Sequence, residues 1–68
     1  MRDSNRIYTC SNRLASIWQK VPDWRLSQMI INALAMYQNR HGTDAFYMED
    51  EEFLEFLEDF IDHYTNRK

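Results

Sequence analysis

The segment over residues 49–64, EDEEFLEFLEDFIDHY, separates apolar from acidic side chains more sharply than any other part of the chain. At about 100° per residue on an α-helix, its large apolar and aromatic side chains fall within roughly 160° of arc. Its carboxylates fall within roughly 120° on the other side, with no basic residue among them. They belong to Glu51, Glu52, Glu55, Glu58, Asp59 and Asp62. The segment therefore predicts a helix with one buried face and one strongly negative face, which we call the acidic face.

Apolar spacing predicts a second helix over residues 4–20. A 3-4-3-4 spacing gathers apolar side chains on one stripe, at Ile7, Cys10, Leu14, Ile17, Trp18 and Val21. Asp3 or Ser4 is placed to cap its first turn. Pro22 is expected to close it, because the residue before a proline is biased away from helical backbone angles.

A third helix is predicted over residues 24–39, with Asp23 as its cap and Gly42 in the loop that stops it. Apolar residues lie on two sides of it, and the second side is formed by Trp24, Ile31 and Ala35. A helix that is apolar on two sides is usually packed by neighbours on both, so we expect this one to be central. The sequence predicts an all-α fold, one compact three-helix domain over residues 1–68 with helices at about 4–20, 24–39 and 50–65.

Length and composition limit the class of protein. At 68 residues the chain is near the lower limit for folding alone, but it is 44% hydrophobic and 15% aromatic, which is too rich for a disordered chain. Domains of this size often gain stability by self-association. A single cysteine excludes an intramolecular disulfide, and the start of the chain leads into no apolar run of signal-peptide length. We therefore expect a cytoplasmic protein without a membrane span.

Charge is unevenly distributed along the chain. Residues 1–41 carry a net charge of +4 and residues 42–68 carry −7, which together give the net charge of −3. Three of the basic residues repeat every seven positions and so line up on the first helix as a basic stripe, at Arg6, Arg13 and Lys20. This stripe has three interpretations: a solvated face, a phosphate-binding surface, or a contact for the acidic face of a second copy. A pI of about 5.2 argues against nonspecific affinity for nucleic acid.

The acidic face has a functional interpretation and a structural one. It could occupy a basic groove on another protein, since aligned charges accelerate encounter. It could also simply keep a hydrophobic small domain in solution. Like charges at i,i+4, such as Glu51–Glu55, destabilise an isolated helix slightly, which favours an interaction role. Trp24 and Ile31 are candidates for an apolar anchor at a partner or dimer interface, and the alternative is that they belong to the core.

We expect no catalytic, metal or cofactor site. Asp59 and His63 are spaced i,i+4, but a closed metal site needs three or four converging ligands. Cys10 lies on the apolar stripe of the first helix with no base spaced to activate it. One glycine cannot build a phosphate-binding glycine loop.

Two stretches carry a resemblance to a known group of proteins. The first is Trp18 followed by PDWRLSQMIIN over residues 22–32, and the second is DAFYMED over residues 44–50 with Leu54 and Leu57. Together they resemble small uncharacterised bacterial and prophage proteins that share a W…PDxRLxQxIxN…DxFYxED pattern. The resemblance implies a bacterial or phage cytoplasmic origin and no catalytic motif. We interpret the polar members of the pattern as a junction that specifies the fold, formed by Asp23, Arg25, Asn32 and Tyr47.

These observations favour a non-enzymatic protein–protein interaction module. The leading hypothesis is a phage or prophage accessory protein that binds and modulates a host protein through the acidic face. The alternatives are a structural homodimer, assembled through the second helix or by basic-to-acidic pairing, and a nucleic-acid binder that uses the basic stripe.

Overall fold

A computed structural model describes residues 4–43 and 45–65. Over these residues the chain forms three α-helices and no strand: α1 (Asn5–Trp18), α2 (Leu26–His41) and α3 (Asp50–Thr65). The predicted all-α, three-helix fold is confirmed. The proposed Asp3 cap, and Asp44 of the sequence pattern, lie outside the described residues. None of the helices described here combines the length and apolar character that crossing a bilayer requires.

α1 ends two residues earlier than predicted, and a series of tight turns connects it to α2. The N–H of Val21 donates to the carbonyl of Trp18 at 2.9 Å, and the N–H of Trp24 donates to the carbonyl of Val21 at 3.0 Å. Ser4 occupies the N-cap position of α1, but its side chain makes no capping hydrogen bond. Pro22 lies within these turns, where its missing N–H interrupts no helical hydrogen bond.

α2 begins later than predicted, and Asp23 is not its cap. The N-cap residue is Arg25, whose extended backbone (φ −75°, ψ 148°) allows its carbonyl to accept the first helical bond from Met29. The turns after α1 continue through Trp24, so Asp23 lies too far from the first helical N–H groups to serve them. At the other end Gly42 adopts a left-handed conformation (φ 71°) and donates to the carbonyl of Gln38, as expected of a glycine that stops a helix.

α3 occupies the span that its sequence pattern predicts. Its first turn is acidic, at Asp50, Glu51 and Glu52, where negative charge is favoured by the helix dipole. Its apolar face is buried, as predicted, through Leu54, Leu57 and Ile61. Between α2 and α3 the chain makes one loose turn, in which the N–H of Met48 donates to the carbonyl of Ala45.

The central helix is α3, and the prediction that α2 is central was wrong. α3 packs against both α1 and α2, and the core lies between the three helices at Ile17, Val21, Met29, Ala33, Leu54, Leu57 and Ile61. On the outer side of α2, Ile31 and Ala35 remain exposed. Two apolar sides on a helix therefore do not require two covering neighbours within the same chain.

Candidate functional site

A row of ion pairs joins α1 to α3. The Nη2 atom of Arg13 lies 3.5 Å from Oε1 of Glu58, and Nζ of Lys20 lies 3.1 Å from the other oxygen of the same carboxylate. Lys20 also approaches Oδ1 of Asp62 at 2.7 Å, and Arg6 pairs with Asp50 at the N-terminus of α3. The basic stripe of α1 is thus directed at carboxylates of its own chain, which leaves less of it available for phosphate.

Lys20 has the most extensive set of contacts in this row. Hydrogen bonds to the carboxylates of Asp62 and Glu58, in that order, raise the pKa of Lys20 above its ordinary value of 10.5. Partial desolvation acts in the opposite direction and is outweighed. The ammonium group is partly open to water, so this arrangement is a surface ion-pair network and its effect on stability is modest.

The structure divides the predicted acidic face into two parts. Glu58 and Asp62 face α1 and are paired with its basic residues. The remaining carboxylates are exposed on the outer side of α3, and we call them the acidic band: Glu51, Glu52, Glu55 and Asp59.

No ion pair to these four carboxylates is found among the described residues. Within the band, the carboxylate of Glu52 accepts a long hydrogen bond, 3.4 Å, from the backbone N–H of Glu49. With respect to residues 4–43 and 45–65, the acidic band is therefore a group of unneutralised charges on one side of α3.

Trp24 and Ile31 do not form one patch. Because α2 begins at Leu26, Trp24 lies in the preceding turns and does not follow the helical phase of Ile31. Its ring packs edge-on against Tyr64 of α3 with the ring centroids 4.8 Å apart, and its carbonyl accepts a hydrogen bond of 2.8 Å from Nε1 of Trp18. Trp24 is half-buried at the edge of the core, whereas Ile31 is 62% exposed on α2.

The four residues predicted to form a polar junction are not brought together. Asp23, Arg25, Asn32 and Tyr47 are all exposed, and no hydrogen bond or ion pair links them within the described part of the chain. Tyr47 instead packs edge-on against Phe46, at a ring-centroid distance of 4.9 Å. Asp50, at the start of α3, pairs with Arg6 of α1.

An apolar groove lies between α1 and α2, and sequence reasoning did not predict it. Its volume is about 850 Å³. α1 contributes Ile7, Cys10 and Leu14, α2 contributes Ile30 and Leu34, α3 contributes Phe53 and Leu54, and the turn before α3 contributes Phe46 and Met48. The length of the α1 stripe is the signal that could have indicated this groove. The stripe begins at Ile7, well before the turn where the core residues are concentrated.

The groove and its surroundings offer little chemistry beyond apolar contact. Its lining contains one thiol, Cys10, and no histidine that could activate it. Across residues 4–43 and 45–65, no group of three or more histidine, cysteine, aspartate or glutamate side chains is arranged to hold a metal ion. Asp59 and His63 accordingly have no third ligand within that part of the chain.

Comparison of the chain with protein-family models, with curated proteins and with solved structures gives no match.

Proposed function

We propose that this protein is a non-enzymatic interaction module, a phage or prophage accessory protein that binds and modulates a host protein in the bacterial cytoplasm. The observation that carries the proposal is the acidic band on α3. Its four carboxylates stay exposed, although the chain has basic residues that neutralise Asp50, Glu58 and Asp62. The resemblance of the sequence to small prophage proteins supports the proposed origin.

The electrostatics of the band support a protein partner with a basic surface. Like charges at i,i+4, as in Glu51–Glu55 and Glu55–Asp59, cost an isolated helix a few tenths of a kcal/mol each. A charged surface that steers a partner accelerates association, and the acceleration weakens as salt screens the charges. A nucleic-acid partner is less favoured, because Arg6, Arg13 and Lys20 are engaged by carboxylates of α3.

The proposal is tested by capturing partners from a nuclease-treated bacterial lysate, with mass spectrometry as the readout. The test variant is the double charge reversal Glu55→Lys/Asp59→Lys, which changes two exposed residues of the acidic band. A matched control carries Asn12→Lys, Ser16→Lys, Gln28→Lys and Asn32→Lys. It changes the net charge by the same amount at exposed positions of α1 and α2.

We expect one host protein to be retained by the wild type and by the control, and lost by the charge reversal. The retained amount should fall as salt is added to the wash. If the reversal retains the same protein as the wild type, or if no protein is retained specifically, the acidic band is a solvated face and the proposal fails.

A further inference from the structure

The first two turns of α1, residues 5–11, are held less firmly than the rest of the helix. Their side chains are exposed apart from Cys10, which is half-buried and packs against the core. Further along α1, Ile17 is 1% exposed and belongs to the core itself. Helices in proteins owe most of their stability to such packing, because short helices are marginal in water on their own. Residues 5–11 therefore depend on contacts other than apolar burial.

The sequence of these two turns adds little helical stability. Ser4 occupies the N-cap position without a side-chain capping bond, and the first turn contains no acidic residue. Arg6 lies in this turn, where the positive end of the helix dipole disfavours a cation. Within residues 4–8, α1 therefore lacks both the cap and the negative charge that usually stabilise the start of a helix.

Open space borders these two turns on both sides. One side is the apolar groove shared with α2, and the other is a second cleft of about 740 Å³ between α1 and the start of α3. Both linings include Arg6 and Cys10 of α1 and Asp50 and Leu54 of α3. These four side chains lie between the two cavities, and the Arg6 guanidinium pairs there with the Asp50 carboxylate. Residues 5–11 thus meet α3 along a narrow ridge.

We propose that residues 5–11 form a strap that opens and closes against α3, with the Arg6–Asp50 ion pair as its latch. Opening is local, because the remainder of α1 stays anchored by Ile17. It joins the groove to the second cleft and uncovers Leu54, which lines both cavities. The side chains of Arg6 and Asp50 are 42% and 40% exposed, so added salt weakens the latch. The strap uses none of the acidic-band residues, so this inference does not rest on the proposed function.

Amide hydrogen exchange of the full chain, resolved by residue with NMR, tests the proposal. Opening of the strap frees the helical N–H groups of Cys10 and Ser11, which we call the strap amides, whereas that of Ile17 is freed when the whole domain unfolds. Relative to their intrinsic rates, we expect the strap amides to exchange at least about tenfold faster than Ile17 in the wild type. Raising the salt concentration should accelerate exchange at the strap amides.

Two substitutions remove the latch from opposite sides, Arg6→Met on α1 and Asp50→Asn on α3. Each should accelerate exchange at the strap amides about twofold to fivefold, the effect of an exposed ion pair. The double variant should be no faster than the faster single variant, because both substitutions delete the same contact. The matched control is Lys20→Met, which removes an equal charge from the basic stripe. Lys20 keeps its α3 carboxylates when the strap opens, so this control should accelerate Ile17 and leave the strap amides unchanged.

Protection of Ile17 in each variant establishes that the fold is intact, and Arg6→Met decides the question even if Asp50→Asn destabilises α3. The inference is overturned if the strap amides exchange as slowly as Ile17 in the wild type, or if Lys20→Met accelerates them as strongly as Arg6→Met does. It is equally overturned if Arg6→Met leaves the strap amides unchanged, which would show that the end of α1 frays without a latch.

Discussion

The pair of helices α1 and α2 has two ends, a covered end near the turns that join them and an open end away from those turns. The two ends differ in how completely their apolar side chains are covered. Near the turn that joins the helices, Ile17 and Met29 are fully buried against α3. At the far end, Ile7 follows the same α1 stripe as Ile17 but borders an open groove, as Leu34 of α2 does. The same periodicity of α1 thus produces a core at one end and the wall of a groove at the other, where Phe53 and Leu54 of α3 line the groove without closing it.

The largest expected effect comes from deleting core volume at the covered end. Leu57→Ala removes a fully buried side chain of α3 and should lower the free energy of unfolding by about 2–5 kcal/mol. A single core of this size rarely supplies more than about 3–5 kcal/mol, so the variant should be close to unfolded. Urea denaturation followed by circular dichroism measures the loss.

The matched substitution at the open end is Ile7→Ala. Because this side chain is half exposed, we expect a loss in the free energy of unfolding of about 0.5 kcal/mol or less. Equal losses in the free energy of unfolding for Leu57→Ala and Ile7→Ala would mean that the open end is packed as tightly as the core. The proposed difference between the two ends would then be wrong.

An effect between those of Leu57→Ala and Ile7→Ala is expected from the hydrogen bond that closes the covered end. Trp18→Phe removes the indole N–H that donates to the carbonyl of Trp24, while keeping most of the aromatic surface. Leaving that acceptor without its donor should lower the free energy of unfolding by about 1 kcal/mol. The control is Tyr47→Phe, which deletes a polar group from an exposed ring and should change stability little. A Trp18→Phe variant as stable as the Tyr47→Phe variant would show that the turn is held by packing alone.

Local features of the fold were readable from the sequence because they depend on neighbours in the chain. The strict segregation of apolar and acidic residues fixed the span and the buried face of α3. Gly42 stops α2 because only a residue without a Cβ adopts its left-handed conformation at little cost. Both features are decided within one helical turn of the residues that cause them.

Features that depend on how the helices pack were not readable in the same way. Asp23 is a good capping residue, but the turns held by the Trp18–Trp24 hydrogen bond carry the chain past it before α2 begins. The spacing of Arg6, Arg13 and Lys20 predicted a row of charges, but not that the row would be matched by carboxylates of the same chain. The length of the α1 stripe hinted at exposed apolar surface near Ile7, but periodicity marks an apolar side chain without identifying what covers it, so the shape of the groove was not readable.

The smallest expected effect concerns Lys20, which lies in the turns after α1 and whose ion pairs join these turns to α3. Its pKa is raised, chiefly by the hydrogen bond to Asp62 and then by that to Glu58. A raised pKa in the folded state means that the stabilisation is fully present below the unfolded value of 10.5 and is lost as the pH rises through the folded value.

Lys20→Met should therefore be less stable than the wild type at neutral pH, and the gap in stability between the two proteins should narrow above about pH 10.5. Thermal unfolding at neutral pH and near pH 11 measures the gap in stability between the two proteins. Arg13→Met is the control: arginine stays protonated across this range, so its gap from the wild type should not narrow in the same way. A Lys20→Met gap that is unchanged at high pH would show that the charge of Lys20 is not what stabilises this contact with α3.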